Sequence, residues 1–333
     1  EVVIQTVVSL LLLGSAAYAT ALAGRFQFDD FYLIVNNPEM SGVSAAWHSL
    51  PISLRPLTKL TLALNVSWHG LRPVGFHLVN IGLHLCSGVI LFRIAGTIHG
   101  WKSSDVSPAW LATAIFLLHP AQTDAVTYIS GRSTTLMTTC LLLAHWLALG
   151  ARPEARHALA WRCASLVAFL AAVLSKETAL VYPLLYLIWL IVLEDRPWPR
   201  ALAGSAPYAA LSVVVFVGLL VHPRYHTLIV DAASRLPWKD AVLSHAGAVV
   251  ALLGVLIGPW RVNIDHALPT AHSLDDVWPQ LWGLLAAILF VAWSARRSRV
   301  VLGGALWGFA ALLPTQSVRV REDLIADRML YLP

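Results

Sequence analysis

Apolar runs of membrane-spanning length alternate with short polar connections along almost the whole chain. The runs are residues 2–23, 74–98, 108–121, 134–150, 158–174, 178–193, 202–221, 241–257, 278–294 and 300–316. A helix needs about 20 residues to cross the hydrocarbon core, with a range near 17–25. The run 108–121 is short, and Pro120 reads as a kink in a helix that continues past it. A further span is expected to begin near Leu330. The pattern predicts an all-α polytopic membrane protein.

Composition supports this class. The chain is 58% hydrophobic and 12% charged, where soluble domains carry about 25% charge. Its 14 Trp suit membrane interfaces, where the indole body prefers lipid and its N–H prefers water. Cys86, Cys140 and Cys163 all fall inside apolar runs, so no disulfide framework is expected. The net charge of +5 is not read as a nucleic-acid signature until the basic residues are placed on a side of the membrane. The first run lacks a basic flank and a small-residue cleavage site, so it reads as an anchor. The chain also reads as trimmed at both ends.

Short cytoplasmic loops are enriched in Lys and Arg. Four connections qualify: Arg93 to Lys102, Arg152 to Arg162, Arg196 to Arg200, and "ARRSR" at 295–299. With a cytoplasmic N-terminus the first three fall inside. The fourth joins them only if one run does not cross. The run 241–257 is the one to demote, since it contains Ser244 and His245 and lies between polar, Pro-containing stretches. The expected arrangement is one transmembrane domain over 1–333 with nine spans and the start of a tenth. Residues 25–73 form a first external loop with interfacial helices. Residues 222–277 form an external segment with 241–257 interfacial or re-entrant. The polar clusters then share one face.

Those clusters hold the candidate chemistry. "FDD" at 28–30 places Asp29 and Asp30 at a membrane edge, where ionised groups are costly. One reading is a helix cap, with Asp accepting from the first free N–H groups of "FYLIV". The other is a general base, because adjacent carboxylates and partial burial raise one pKa toward neutrality. The residues alone leave both open, and slightly favour Asp30 as base. The pair is also compatible with a divalent cation. In "GFHLVNIGLHL", His77, Asn80 and His84 share a helical face. Interhelical hydrogen bonding explains that face, and His77, near the outer end, is placed to meet substrate. "HPAQTDAVTYISGRSTT" breaks two spans. There Gly131 permits unusual backbone angles, and Ser133 or Thr134 caps the next helix. Arg132 either grips a phosphate in two-point fashion or pairs with Asp124. In "LSKETAL", Lys176 and Glu177 form a capped, paired turn, or Lys176 supports an anionic head group. Asp265, His266, Asp327 and Arg328 are further polar ends on the same face, as substrate contacts or their supports.

In order, "FDDFYLIVNNP", "RPLT…ALN", "GFHLVNIGLHL", "LLHPAQTDAVTYISGRS", "LSKET" and "ADRMLYLP" resemble the membrane half of the transmembrane and tetratricopeptide-repeat O-mannosyltransferases and their prokaryotic relatives. These belong to the C-type glycosyltransferase superfamily. The resemblance runs from about residue 25 to 333. It implies a C-type glycosyltransferase-like helical bundle and a sugar donor on a polyprenyl phosphate. It implies transfer on the external face with inversion at the sugar carbon, and a catalytic Asp in the first external loop, which maps onto "DD". Members usually carry tetratricopeptide repeats after the membrane part, and none is visible here.

The combined expectation is a multi-pass enzyme of a bacterial inner membrane with a periplasmic or external active face. It moves mannose or a similar sugar from the lipid donor to a hydroxyl of a protein or glycan acceptor. Asp30 or Asp29 is the base. Arg132, Lys176 and Arg328 face the phosphate, and Glu177, His77, Asp265 and His266 line the substrate. No metal site and no nucleic-acid partner are expected. Membrane lipids and a lateral membrane protein are compatible partners. The alternative is a non-catalytic membrane subunit or scaffold that keeps the fold. A transporter is disfavoured, since no inverted repeat with broken helices is visible.

Overall fold

The computed structural model describes residues 2–98, 106–151, 156–225, 237–264, 266–316 and 324–333. Among them there is helix and no strand, as lipid demands of a chain that must satisfy its own backbone. Each of the ten apolar runs appears as helix. Six helices are long and apolar enough to cross a membrane: Pro73–Ala95, Ile129–Gly150, Ala158–Ser175, Trp198–Val221, Trp238–Ile257 and Trp278–Ala295. Four shorter apolar helices accompany them, Val3–Ala17, Pro108–Leu118, Glu177–Leu193 and Arg299–Leu312. The helix Trp238–Ile257, expected in the interface, has the length and composition of a span.

The chain divides into two compact units, Glu1–Ala179 and Leu180–Pro333. The first contains α1 (Val2–Ala17), α2 (Val43–His48), α3 (Pro56–His69), α4 (Pro73–Ala95), α5 (Val106–Leu118), α6 (Thr123–Thr127), α7 (Arg132–Gly150) and α8 (Ala158–Ser175). Polar bonds join these helices, a device suited to lipid, where apolar side chains gain little by meeting each other. Trp110 Nε1 on α5 donates to Ser9 Oγ on α1 at 3.1 Å. Ser87 on α4 and Thr139 on α7 share a bond of 2.8 Å. Ser165 on α8 donates to the Ala144 carbonyl of α7 at 2.6 Å, and Thr58 on α3 to the Ser175 carbonyl of α8 at 2.9 Å. His84 Nε2 lies 3.1 Å from the Leu117 carbonyl of α5. The interhelical reading of the His77–Asn80–His84 face therefore holds for His84.

The second unit contains α9 (Tyr182–Ile188), α10 (Trp198–Val221), α11 (Trp238–Ile257), α12 (Trp278–Ala295) and α13 (Arg299–Leu312). Tyr182, Tyr186 and Tyr208 stack between α9 and α10 with ring centroids 5.1–5.9 Å apart. The helices α10, α11 and α12 each begin at an exposed Trp: Trp198, Trp238 and Trp278. Indole rings at helix ends are interface anchors. Cys86, Cys140 and Cys163 are free thiols.

Candidate functional site

The first unit brings together two stretches a hundred residues apart. The earlier one runs from Gly24 to Asn37. A one-turn π-helix, Phe31–Val35, follows Asp30, and the Asp30 side chain makes no capping bond to it. The cap expected of the Asp pair is not formed. Asp30 is instead 1% exposed and turns backward and across. Its Oδ2 accepts the Gln27 N–H at 3.0 Å. Its Oδ1 accepts the Ser130 N–H at 2.9 Å and the Ser130 hydroxyl. Asp29 beside it is exposed, and its backbone N–H donates to the Tyr128 hydroxyl at 3.0 Å. Its carboxylate takes part in no hydrogen bond or ion pair among the described residues. Phe28 just before the pair holds a left-handed backbone, φ 44°, and stands edge-on to Tyr128 with centroids 6.4 Å apart. For a bulky residue that conformation costs energy and must be imposed by its surroundings.

The later stretch is the break between α5 and α7. The helix α5 ends at Leu118 rather than kinking at Pro120. A 3-10 turn, Pro120–Gln122, follows, and His119 Nδ1 accepts the Ala121 N–H at 3.2 Å. After α6 the chain doubles back through Tyr128–Gly131. Gly131 has ordinary helical angles, φ −59° and ψ −14°. Its role is close approach, since a Cβ there would stand 2.5 Å from the Ala125 carbonyl oxygen. Neither Ser133 nor Thr134 caps α7.

Asn80 and Arg132 fasten this turn to α4. Asn80 Nδ2 donates to the Tyr128 and Ile129 carbonyls at 3.1 and 3.3 Å. Its Oδ1 accepts Arg132 Nε at 2.9 Å. The other guanidinium nitrogens donate to the Thr61 carbonyl at 3.2 Å and the Phe76 carbonyl at 3.0 Å. The cation also lies 5.4 Å from the Phe76 ring centroid. Arg132 is fully buried and pairs with no carboxylate among the described residues. Its expected Asp124 pair is not formed; neutral acceptors use its fork. His77 is buried under Gly24, where a Cβ would stand 2.8 Å from Nε2.

Burial pushes the Asp30 carboxyl above its ordinary range; the Ser130 hydroxyl, the Gln27 and Ser130 N–H groups and the nearby His77 pull it back. Burial, with the Asp29 and Asp30 charges added, pushes the Tyr128 phenol up to about 12, against the Asp29 N–H and Ser130. The phenol thus stays protonated at physiological pH.

Three further cations of the first unit are engaged. Arg55 clasps Glu177 at two points, 3.0 and 2.9 Å, which makes Glu177 an anchor for the loop before α3. Lys59 meets Glu39. Lys176 is buried, with Nζ 2.7 Å from Thr134 Oγ1. Arg25, four residues before Asp29, is exposed.

The second unit holds its own polar cluster. His266 Nε2 is 2.7 Å from Asp327 Oδ1, and the Asn263 N–H donates to Asp327 Oδ2 at 2.9 Å. Arg328 is half-buried. Asp265 lies outside the described residues. Among the described residues no group of three or more His, Cys, Asp or Glu is placed to hold a metal ion.

Sequence reasoning passed over Ser130, Tyr128 and Arg25 as site residues. Ser130 sits in a stretch already singled out, but no local rule says which residue a hundred positions earlier its hydroxyl will meet.

No family model matches this chain, and no solved structure matches it. Curated proteins do. The Drosophila melanogaster protein O-mannosyl-transferase Tmtc1 is 32% identical over 321 residues, which is 82% of this chain and 36% of that protein. The Drosophila melanogaster protein O-mannosyl-transferase Tmtc2 is 28% identical over 84% of this chain and 33% of its own length. The Homo sapiens protein O-mannosyl-transferase TMTC3 is 29% identical over 96% of this chain and 40% of its own length. The chain thus spans roughly a third to two fifths of the relatives that it matches. By this similarity and its apolar helices, the chain is a multi-pass integral membrane protein and a distant homologue of the protein O-mannosyl-transferases.

Proposed function

We propose that this protein transfers a sugar, mannose or a near relative, from a polyprenyl-phosphate donor to a hydroxyl on a protein acceptor, at the outer membrane face. The observation that carries the reading is the division of labour within "DD". Asp30 is buried with both oxygens committed, while Asp29 is exposed and its carboxylate meets no partner among the described residues. A general base must reach the proton it takes, so Asp29 is the base and Asp30 the anchor that presents it. This reverses the preference that the residues alone suggest.

In the proposed step Asp29 takes the proton of the acceptor hydroxyl. The hydroxyl oxygen attacks the anomeric carbon from the face opposite the phosphate. The bond from that carbon to the phosphate oxygen breaks, the phosphate keeps the electron pair, and the sugar carbon inverts. A phosphate is a stable leaving anion, so one base suffices. Positive charge nearby favours its departure. Arg25 offers an exposed guanidinium on the same segment, and Arg132 and Lys176 contribute their charges from the interior. Asp265, His266 and Arg328 belong to the second unit and are assigned no contact with Asp29. Similarity to proteins called O-mannosyl-transferases supports the sugar and the acceptor class. The expected external face follows from the distribution of Lys and Arg between loops.

The experiment is transfer from a radiolabelled polyprenyl-phosphate mannose into membrane protein. Asp29→Asn is expected to lower the rate by about 10²–10⁴-fold, the usual contribution of a general base, and to leave donor binding intact. Asp30→Asn is expected to weaken transfer and folding together. If Asp30→Asn alone abolishes transfer in a folded protein, the two roles are exchanged. If the wild type binds donor and transfers nothing, the scaffold reading replaces the enzyme. Single cysteines at the exposed positions 25 and 29 that do not react with an impermeant thiol reagent in intact cells would sink the external face.

A further inference from the structure

Asp30 accepts three hydrogen bonds, and its anchor is itself anchored. Ser130 supplies two donors to one oxygen, its backbone N–H at 2.9 Å and its hydroxyl. The turn that carries Ser130 is gripped through the carbonyls of Tyr128 and Ile129 by Asn80. Asn80 cannot rotate away, because its oxygen holds Arg132 Nε at 2.9 Å and its whole side chain is buried. One buried arginine, one amide and one serine thus form a continuous chain from the interior to the "DD" segment. Beside it, Tyr128 accepts the backbone N–H of Asp29.

We propose that Ser130 is a positioning residue for the transfer reaction: by holding Asp30 it fixes where Asp29 points, and Asn80 clamped by Arg132 holds Ser130. The inference rests on the reading of Asp29 as base. The bonds to Asp30 are charge-assisted, and such bonds are roughly twice as strong as neutral ones. They weaken when Asp30 takes a proton. The charged and titratable groups around Asp30 are Asp29 on its own segment, His77 on α4, Tyr128 in the turn and, behind Asn80, Arg132. Burial already favours the neutral acid, and the Ser130 hydroxyl opposes it. Removing that hydroxyl leaves burial less opposed, so Asp30 holds its proton to higher pH. The anchor then slackens over a pH range where the wild type is intact.

The test uses the full chain in detergent or proteoliposomes. Ser130→Ala is expected to lower kcat on the order of ten- to a hundredfold, the cost of a bond to a charged group, with donor KM little changed. The acid limb of its pH–rate profile is expected to move to higher pH. Ser130→Thr, which keeps the hydroxyl, is expected to restore both. Hydrogen exchange over peptide 24–36 is expected to quicken in Ser130→Ala and return to normal in Ser130→Thr. An unmoved pH profile in Ser130→Ala, or equal impairment of both variants, overturns the inference. Unchanged exchange in Ser130→Ala overturns the anchor itself. If the wild type transfers nothing while exchange responds as expected, the enzyme reading and the positioning role fall and the anchor stands.

Discussion

The helical stretches that contain α7 and α12, Ile129–Gly150 and Trp278–Ala295, are both long and apolar enough to cross a membrane, yet they live in different surroundings. The spanning window that contains α7 is 67% buried, whereas that of α12 is 6% buried. The buried face of α7 carries Arg132, Ser133, Thr134, Thr135, Thr138 and His145. α12 shows Leu285, Ile288, Leu289, Phe290 and Trp293 on its surface. Average apolarity says that a helix can live in a membrane. The identity of its few polar residues says whether protein or lipid surrounds it, because a polar group facing lipid lacks partners. The first unit spends burial on hydrogen-bonded polar groups and so can hold a reactive carboxylate in place. The second unit shows apolar surface of the kind suited to lipid.

The comparison can be broken most sharply at the site. Loss of transfer in Asp29→Asn, by about 10²–10⁴-fold, has no counterpart in the second unit if the division of roles is right. A comparable fall in a folded His266→Ala protein would place chemistry there too.

Next comes the interior. Arg132→Met leaves the buried Asn80 oxygen without its donor, whereas the Thr61 and Phe76 carbonyls lie inside α3 and α4 and lose only a second donor; a bare buried acceptor costs about 1–3 kcal/mol. A loss of about 1–3 kcal/mol is expected in thermal or denaturant unfolding in detergent. Phe290→Ala on α12 removes a larger apolar group from an exposed position, and changes away from packed features stay within about 0.5 kcal/mol. Equal losses at the two sites would erase the contrast between the units.

The smallest effects separate two glycines. Gly131→Ala drives a Cβ to 2.5 Å from a backbone oxygen, an overpacking expected to cost about 1–3 kcal/mol. Gly304 on α13 is exposed, with nothing within 4 Å of a built Cβ. Gly304→Ala is expected to stabilise by about 0.5–1 kcal/mol, since Gly weakens a helix interior by that much. The same substitution with opposite signs, read from paired unfolding curves, checks that space and not backbone angle selects Gly131.

Residue types and spacing alone led to helices, apolar runs and the stretches that hold chemistry. The ten runs reappear as helices because a 20-residue apolar stretch in lipid has one good way to satisfy its backbone. Asp29, Asp30, Arg132, Lys176 and Glu177 were all marked by charge beside such a run. Their partners were not legible. Glu177 meets Arg55, 122 positions earlier, and Asp30 meets Ser130, 100 positions later. Charge and helical period act over a few residues and carry no information at that distance. Only the packing of α4 against the turn before α7 determined that Arg132 faces inward. Only the meeting of two loops determined that one carboxylate of an adjacent pair is bound and the other free. Sequence decides which groups a membrane chain must satisfy; tertiary structure decides which group satisfies which, and leaves Asp29 exposed at the surface.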